Sequence, residues 1–197
     1  MDALDKTHLE AILAIAQRFG LLGLKATGEF NTRQNALGLE KIFLPENLGD
    51  PEKRRESLER INSAESLLVA YQRIYADFFI QFNTEIATTS VLLPEARRKE
   101  SIDSLMVTIQ KHLNEQAYFY ALRESWIKSC RELIALMESE EVENAGSQML
   151  FEREEGIATM AAITQEIDRL AAEESRLMQQ RLQRIQQGAN FMGVVIR

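Results

Sequence analysis

One cysteine, two histidines, three prolines and nine glycines in 197 residues leave little of what metal centres, disulfide frameworks and tightly turned β folds are made of. The lone Cys130 excludes an intramolecular disulfide and any multi-cysteine metal site, and so leaves the redox compartment open. Its place on an apolar helical stripe makes it a small core residue rather than a reactive thiol. A di-metal carboxylate centre in a helical bundle needs Glu-x-x-His on two helices, and neither His8 nor His112 stands in that motif. His112 and Glu115 share a helical face, which is the spacing of a surface ion pair. The phosphate-cradling G-x-x-x-x-G-K-[ST], the dinucleotide G-x-G-x-x-G, the serine elbow G-x-S-x-G and the zinc motif H-E-x-x-H are all missing. No residue is therefore a candidate for catalysis, cofactor binding or metal ligation, and the expectation is a protein that is not an enzyme and carries no cofactor.

Long apolar runs are missing too. No stretch of about 18 uncharged apolar residues occurs, the least that a membrane-spanning helix needs. The start, Met1-Asp2-Ala3-Leu4-Asp5-Lys6, lacks the basic flank and apolar core of a secretory signal. The cytoplasm is the expected compartment, although a chain whose signal had been removed reads the same. The segment from Leu9 to Leu24 shows Glu10, Gln17 and Arg18 on its polar side rather than a row of lysines, so membrane association is not expected. With 30 acidic against 23 basic residues the formal charge is -7, which argues against a nucleic-acid partner, because neutralising phosphates needs a net basic face.

What remains is a composition made for helices: few residues that break them and many Glu, Gln, Leu, Ala and Arg. From Pro94 to about Glu138 apolar residues recur at steps of three and four (Ile102, Leu105, Ile109, Leu113, Ala117, Tyr120, Ile127, Cys130, Ile134, Met137), the stripe of one long helix. Asp50-Pro51 starts another, with an N-cap acceptor followed by proline where its missing N–H costs nothing, and it runs to about Leu93. Its aromatic residues Tyr71, Tyr75, Phe78, Phe79 and Phe82 read as core packing before they read as the wall of a ligand cavity. A third runs from about Ile157 to Gly188, with Gly156 expected to bend it and the acidic stretch Glu138 to Glu143 turning into it. Ahead of these, Thr7-His8-Leu9-Glu10 has the spacing of a capping box. The helix it opens buries Leu9, Ile12, Leu13, Ala16 and Phe19 and stops at Gly20. Residues 20–50 are expected to be irregular, with a short helix over Asn31–Phe43.

These elements specify an all-α fold: an elongated antiparallel bundle of three long helices, with a shorter N-terminal helix and an irregular segment packed on it. It forms a single helical domain over 1–197, divided into 1–50, the long-helix bundle 51–188 and an apolar tail 189–197. Ala117-Tyr118-Phe119-Tyr120-Ala121-Leu122 is apolar on every side and calls for enclosure. The expected function is that of a non-enzymatic protein that binds another protein, as an adaptor, a chaperone-like binder or an inhibitor. A membrane-active or secretion-associated helical protein is the alternative, and an enzyme with an unrecognised site is the least favoured. Alternating helix direction puts Arg97, Arg98 and Lys99 at one end of the bundle with Arg176, Arg181 and Arg184. Together with Phe191, Val194 and Ile196 of the tail they form the expected docking tip for an acidic protein partner. A first helix too short to cover a rod of about 65 Å predicts a homodimer.

Overall fold

The computed structural model describes residues 3–139, 142–145, 148–151 and 153–191. Five α-helices account for most of them: α1 (Ala3–Ala36), α2 (Pro45–Leu48), α3 (Pro51–Ser90), α4 (Glu95–Ser139) and α5 (Glu154–Phe191). A 3-10 helix, Leu39–Phe43, precedes α2. Strands β1 (Val142–Ala145) and β2 (Gln148–Phe151) form an antiparallel hairpin in which Val142 stands opposite Phe151 and Ala145 opposite Gln148. The fold is an all-α bundle, and that hairpin, in a stretch read from the sequence as a turn, is its one departure among the described residues.

The three long helices stand where periodicity puts them, and the N-terminal part does not. The helix expected to stop at Gly20 continues to Ala36, so α1, at 34 residues, is a fourth long helix in addition to α3, α4 and α5 with 40, 45 and 38. Each interior glycine costs a helix roughly 0.5–1 kcal/mol relative to alanine. Burial of Ala26 and Phe30, whose ring lies 4.6 Å from that of Tyr71, offsets that cost, since an enclosed Phe contributes about 1.5–3 kcal/mol. The effective stop is Gly38, at φ 59° in the left-handed region. There the Leu37 and Gly38 amides donate to the carbonyls of Gln34 and Asn35 at 3.0 and 3.2 Å. The single helix expected over 31–43 is thereby divided.

Asp50 opens α3 as expected: its Oδ1 accepts from the amides of Glu52 and Lys53 at 2.8 and 3.1 Å, with Pro51 in the first position. The end of α3 leaves carbonyls without helical partners. Ser90 Oγ donates to the Ala87 carbonyl at 3.0 Å and the Leu92 and Leu93 amides to those of Thr89 and Ser90 at 3.3 and 3.0 Å, while Arg98 Nη2 ties the turn itself by donating to the Val91 and Leu93 carbonyls at 3.1 and 3.0 Å. Gly156, expected to bend the last helix, sits buried in its first turn, where its amide donates to the Arg153 carbonyl at 3.1 Å.

Contacts divide the chain into two compact units, unit 1 (Met1–Gly38 and Ser63–Ala117) and unit 2 (Leu39–Asn62 and Tyr118–Arg197). In unit 1, α1 runs antiparallel to α3. Arg18 pairs with Glu85, the Phe19 and Phe82 rings meet edge-on at 5.4 Å, and Thr27 reaches Tyr71. At one end of this unit Ile12, Phe82, Ile86 and Leu93 form a buried apolar cluster packed against Phe19, Leu105 and Ile109. In unit 2, α4 and α5 run antiparallel. Phe119, Leu122, Trp126, Ile127, Cys130, Leu133, Ile134 and Met137 of α4, and Ile167, Leu170 and Leu177 of α5, are buried. The 39–62 segment adds Ile42, Leu48 and Ile61 to that core, and the ring of Phe43 meets Trp126 edge-on at 6.1 Å. Phe119 and Leu122 are enclosed as expected of the apolar girdle, whereas Tyr118 keeps one face in solvent.

Candidate functional site

A line of polar side chains in unit 1 runs from the part-buried Thr27–Tyr71 pair to the exposed His112. Thr27 Oγ1 of α1 donates to the Gly23 carbonyl at 2.8 Å and shares a hydrogen bond with Tyr71 Oη at 2.7 Å. One turn on, Tyr75 Oη lies 3.0 Å from His112 Nε2, so this histidine meets an aromatic hydroxyl across the helices. Gly23 makes the approach of α1 to α3 feasible, because a β-carbon there would stand 3.2 Å from Tyr75 Oη. On α4, one turn beyond His112, Gln116 is 2 % exposed, and neither its Oε1 nor its Nε2 has a hydrogen-bond partner among the described residues. Such a group costs roughly 1–3 kcal/mol for each unmade bond. The line holds hydroxyls, a carboxamide and an imidazole.

The exterior of unit 1 is unusually apolar. Among the described residues the exposed large apolar side chains of unit 2 are Leu44, Tyr118 and Ile157. Unit 1 exposes Leu13, Leu21 and Leu24 on α1, Val69, Ile74 and Ile80 on α3, Val91 and Leu92 in the turn, and Met106 and Val107 on α4. Tyr75 opposite His112 sets the register of the antiparallel α3–α4 pair, and five residues forward on one helix stand level with five back on the other. Ile80 is therefore level with Val107, but each lies about 140° around its helix from the facing Tyr75–His112 pair, so the two exposed side chains point to opposite sides of the α3–α4 pair. Periodicity missed these residues because it selects the stripe that faces the core, and Val107 and Ile80 stand off that stripe. It also assigned Leu13 to the buried face of α1, whereas that side chain is 60 % exposed.

Unit 2 carries its charges along the α4–α5 seam. Arg123 and Glu174 pair at 2.7 Å with only 12 and 13 % of their side chains exposed, and the Arg123 guanidinium lies 5.6 Å from the centre of the Trp126 ring. Burial pushes the Glu174 carboxyl above its ordinary range against the opposing pull of Arg123, and pushes Arg123 down against that of Glu174. In both, removal from water is the larger effect. Hydrogen bonds from Arg176 and from Tyr118 hold Glu173 below the usual carboxylate range, and donating to that carboxylate raises the Tyr118 phenol.

The arginines expected at a docking tip are distributed as follows. Arg98, half-buried, and exposed Lys99 belong to unit 1, where Arg98 serves the α3–α4 turn. Arg176 pairs with Glu173, and Arg181 stacks over Phe119 at 5.5 Å, both in unit 2. Arg97, Arg184 and Phe191 lie on helical backbone, and Val194 and Ile196 fall outside the described residues. No group of three metal-ligating side chains converges among the described residues, and no helix among them is long and apolar enough to cross a membrane. Comparison with protein-family models, with curated proteins and with solved structures finds no match.

Proposed function

We propose that this chain is a non-enzymatic binding protein that engages another protein through exposed apolar side chains of unit 1. The excess of exposed large apolar side chains on unit 1 over unit 2 is the observation that supports it. Burying apolar surface against a partner contributes roughly 25 cal/mol for each Å². A photo-crosslinking residue at Val107 is expected to capture one defined protein in the native cell, and the same residue at Lys128 of unit 2 is not. Equal capture at both positions refutes this reading.

A second reading rests on Val91 and Leu92. These adjacent apolar residues are 64 and 62 % exposed at the apex of the α3–α4 turn, with no charged residue between Glu85 and Glu95. A turn of that kind suits shallow insertion into a lipid surface. Co-flotation with anionic vesicles that is lost in Val91→Asp favours it over a protein partner.

A further inference from the structure

Two residues separate Ala145 from Gln148, so of the two kinds of antiparallel pair only the hydrogen-bonded kind can close the β1–β2 hairpin. Bonded and unbonded pairs alternate along such a ladder. Glu143–Leu150 is therefore bonded like Ala145–Gln148, and Val142–Phe151 and Asn144–Met149 are not. In an unbonded pair the N–H and C=O of each residue point away from the partner strand. Val142 and Asn144 thus turn two donors and two acceptors to the outer edge of β1, and among the described residues the sheet has no third strand to meet them. An isolated two-stranded hairpin is marginal in water, and a third strand is one of the ways it gains stability. The charge of the chain is gathered at the same place. From Glu138 to Glu155 the sequence sets seven acidic residues against Arg153, so six of the chain's seven net negative charges fall within this stretch. One of the seven, Glu143, is the second residue of β1.

We propose that the outer edge of β1 takes an extended, basic segment of a partner protein as a third strand. Main-chain donors and acceptors at strand spacing are matched by another strand and not by a helix, whose own N–H and C=O groups are already used. Charge then selects the strand. Glu143 stands between the two outward-bonding residues, so a lysine or arginine placed across from it makes an opposite-charge cross-strand pair, and the other carboxylates of the stretch draw a basic chain towards the edge. A second copy of this protein is the wrong occupant, because two stretches with six net negative charges each would have to meet, and nucleic acid is excluded on the same ground. The outer edge of β2 offers the same main-chain groups at Met149 and Phe151, but Gln148–Phe151 has no charge with which to choose a basic strand. A contact this short is weak and reversible, and it loosens in salt. It belongs to unit 2 and is independent of the unit 1 surface proposed above.

The test uses the full chain and a short synthetic peptide of alternating lysine and valine, with amide hydrogen exchange followed by NMR. Saturating peptide is expected to slow exchange of the Val142 and Asn144 amides by about tenfold or more and to leave Met149 and Phe151 unchanged. Asn144→Pro removes an outward donor that the hairpin itself does not use, and a strand edge accepts proline at such a position. It is expected to weaken peptide binding by about tenfold while the Asn144–Met149 contact between α-hydrogens persists, whereas Met149→Pro on the other edge binds as the parent does. A peptide of alternating glutamate and valine is expected not to bind. Exchange at Val142 and Asn144 that saturating peptide leaves unchanged overturns the proposal, and this measurement needs no variant, so it decides the question also where Asn144→Pro loses the hairpin. Binding that survives Asn144→Pro in an intact hairpin overturns strand addition, since the peptide is then held by charge alone. Equal binding of the glutamate peptide overturns the basic occupant.

Discussion

Three enclosed side chains of unit 2 show how removal from water governs titration. Removal from water pushes the Cys130 thiol up to about 12, with nearby Arg123 opposing the shift only in part. The thiolate is the reactive form, so native protein at pH 8 is expected to ignore an aromatic disulfide reagent that consumes one thiol per chain after unfolding. Rapid labelling of folded protein would show that Cys130 is accessible. Arg123 and Glu174 lead to a sharper expectation. Arg123→Ala leaves a buried carboxylate unpaired and is expected to cost roughly 3–5 kcal/mol, whereas Arg123→Met with Glu174→Leu costs little or nothing. The sign of the pH dependence follows from the raised pKa of Glu174. A carboxyl whose folded value exceeds its unfolded value stabilises most below the unfolded pKa and loses that contribution as pH rises through the folded one. Arg123→Ala removes the opposing pull, so its deficit in urea denaturation is expected to be largest at neutral pH and to shrink towards pH 4. A deficit that is flat with pH would show that Glu174 does not carry it.

Among the elements, α1 separates what local sequence decides from what packing decides. Its three interior glycines look alike in the sequence, yet only Gly23 faces another side chain, and Gly20 and Gly28 face open space. Gly20→Ala and Gly28→Ala are each expected to raise stability by about 0.5–1 kcal/mol. Gly23→Ala is expected to give no such gain, since its β-carbon would press on Tyr75. Gly38→Ala, at positive φ, is expected to cost about 1–2 kcal/mol. Thermal melts of the four variants distinguish these outcomes. The same contrast explains what was legible. Pro51, Pro94 and the apolar stripes mark α3, α4 and α5 because capping chemistry and periodicity are local signals. The continuation of α1 past Gly20 depends on Phe30 meeting Tyr71, 41 positions away, which no local signal carries. The outer surface was least legible of all. A pattern search discards Ile80 and Val107 as residues off the stripe, and only their exposure in the folded unit makes them candidate partner contacts.

For the whole molecule, the helices α3 and α4 each supply residues to both units, and neither unit is one uninterrupted stretch of chain. Residues 39–62 of unit 2 lie in sequence between the two parts of unit 1, and 63–117 of unit 1 lie between the two parts of unit 2. Truncation therefore cannot isolate either half: a gene fragment ending at residue 117 carries an orphaned piece of unit 2, and one beginning at residue 39 lacks a helix of unit 1. Peptide-bond cleavage has a gentler effect. A protease site placed in the Val91–Pro94 turn gives two fragments that each hold part of both units, and they are expected to elute together in native gel filtration and to part only in denaturant. Separation without denaturant would mean that one side of the cut holds a self-sufficient fold. The turn at 91–94 is consequently a place where the backbone can be opened, or new termini made, while each unit keeps all of its pieces.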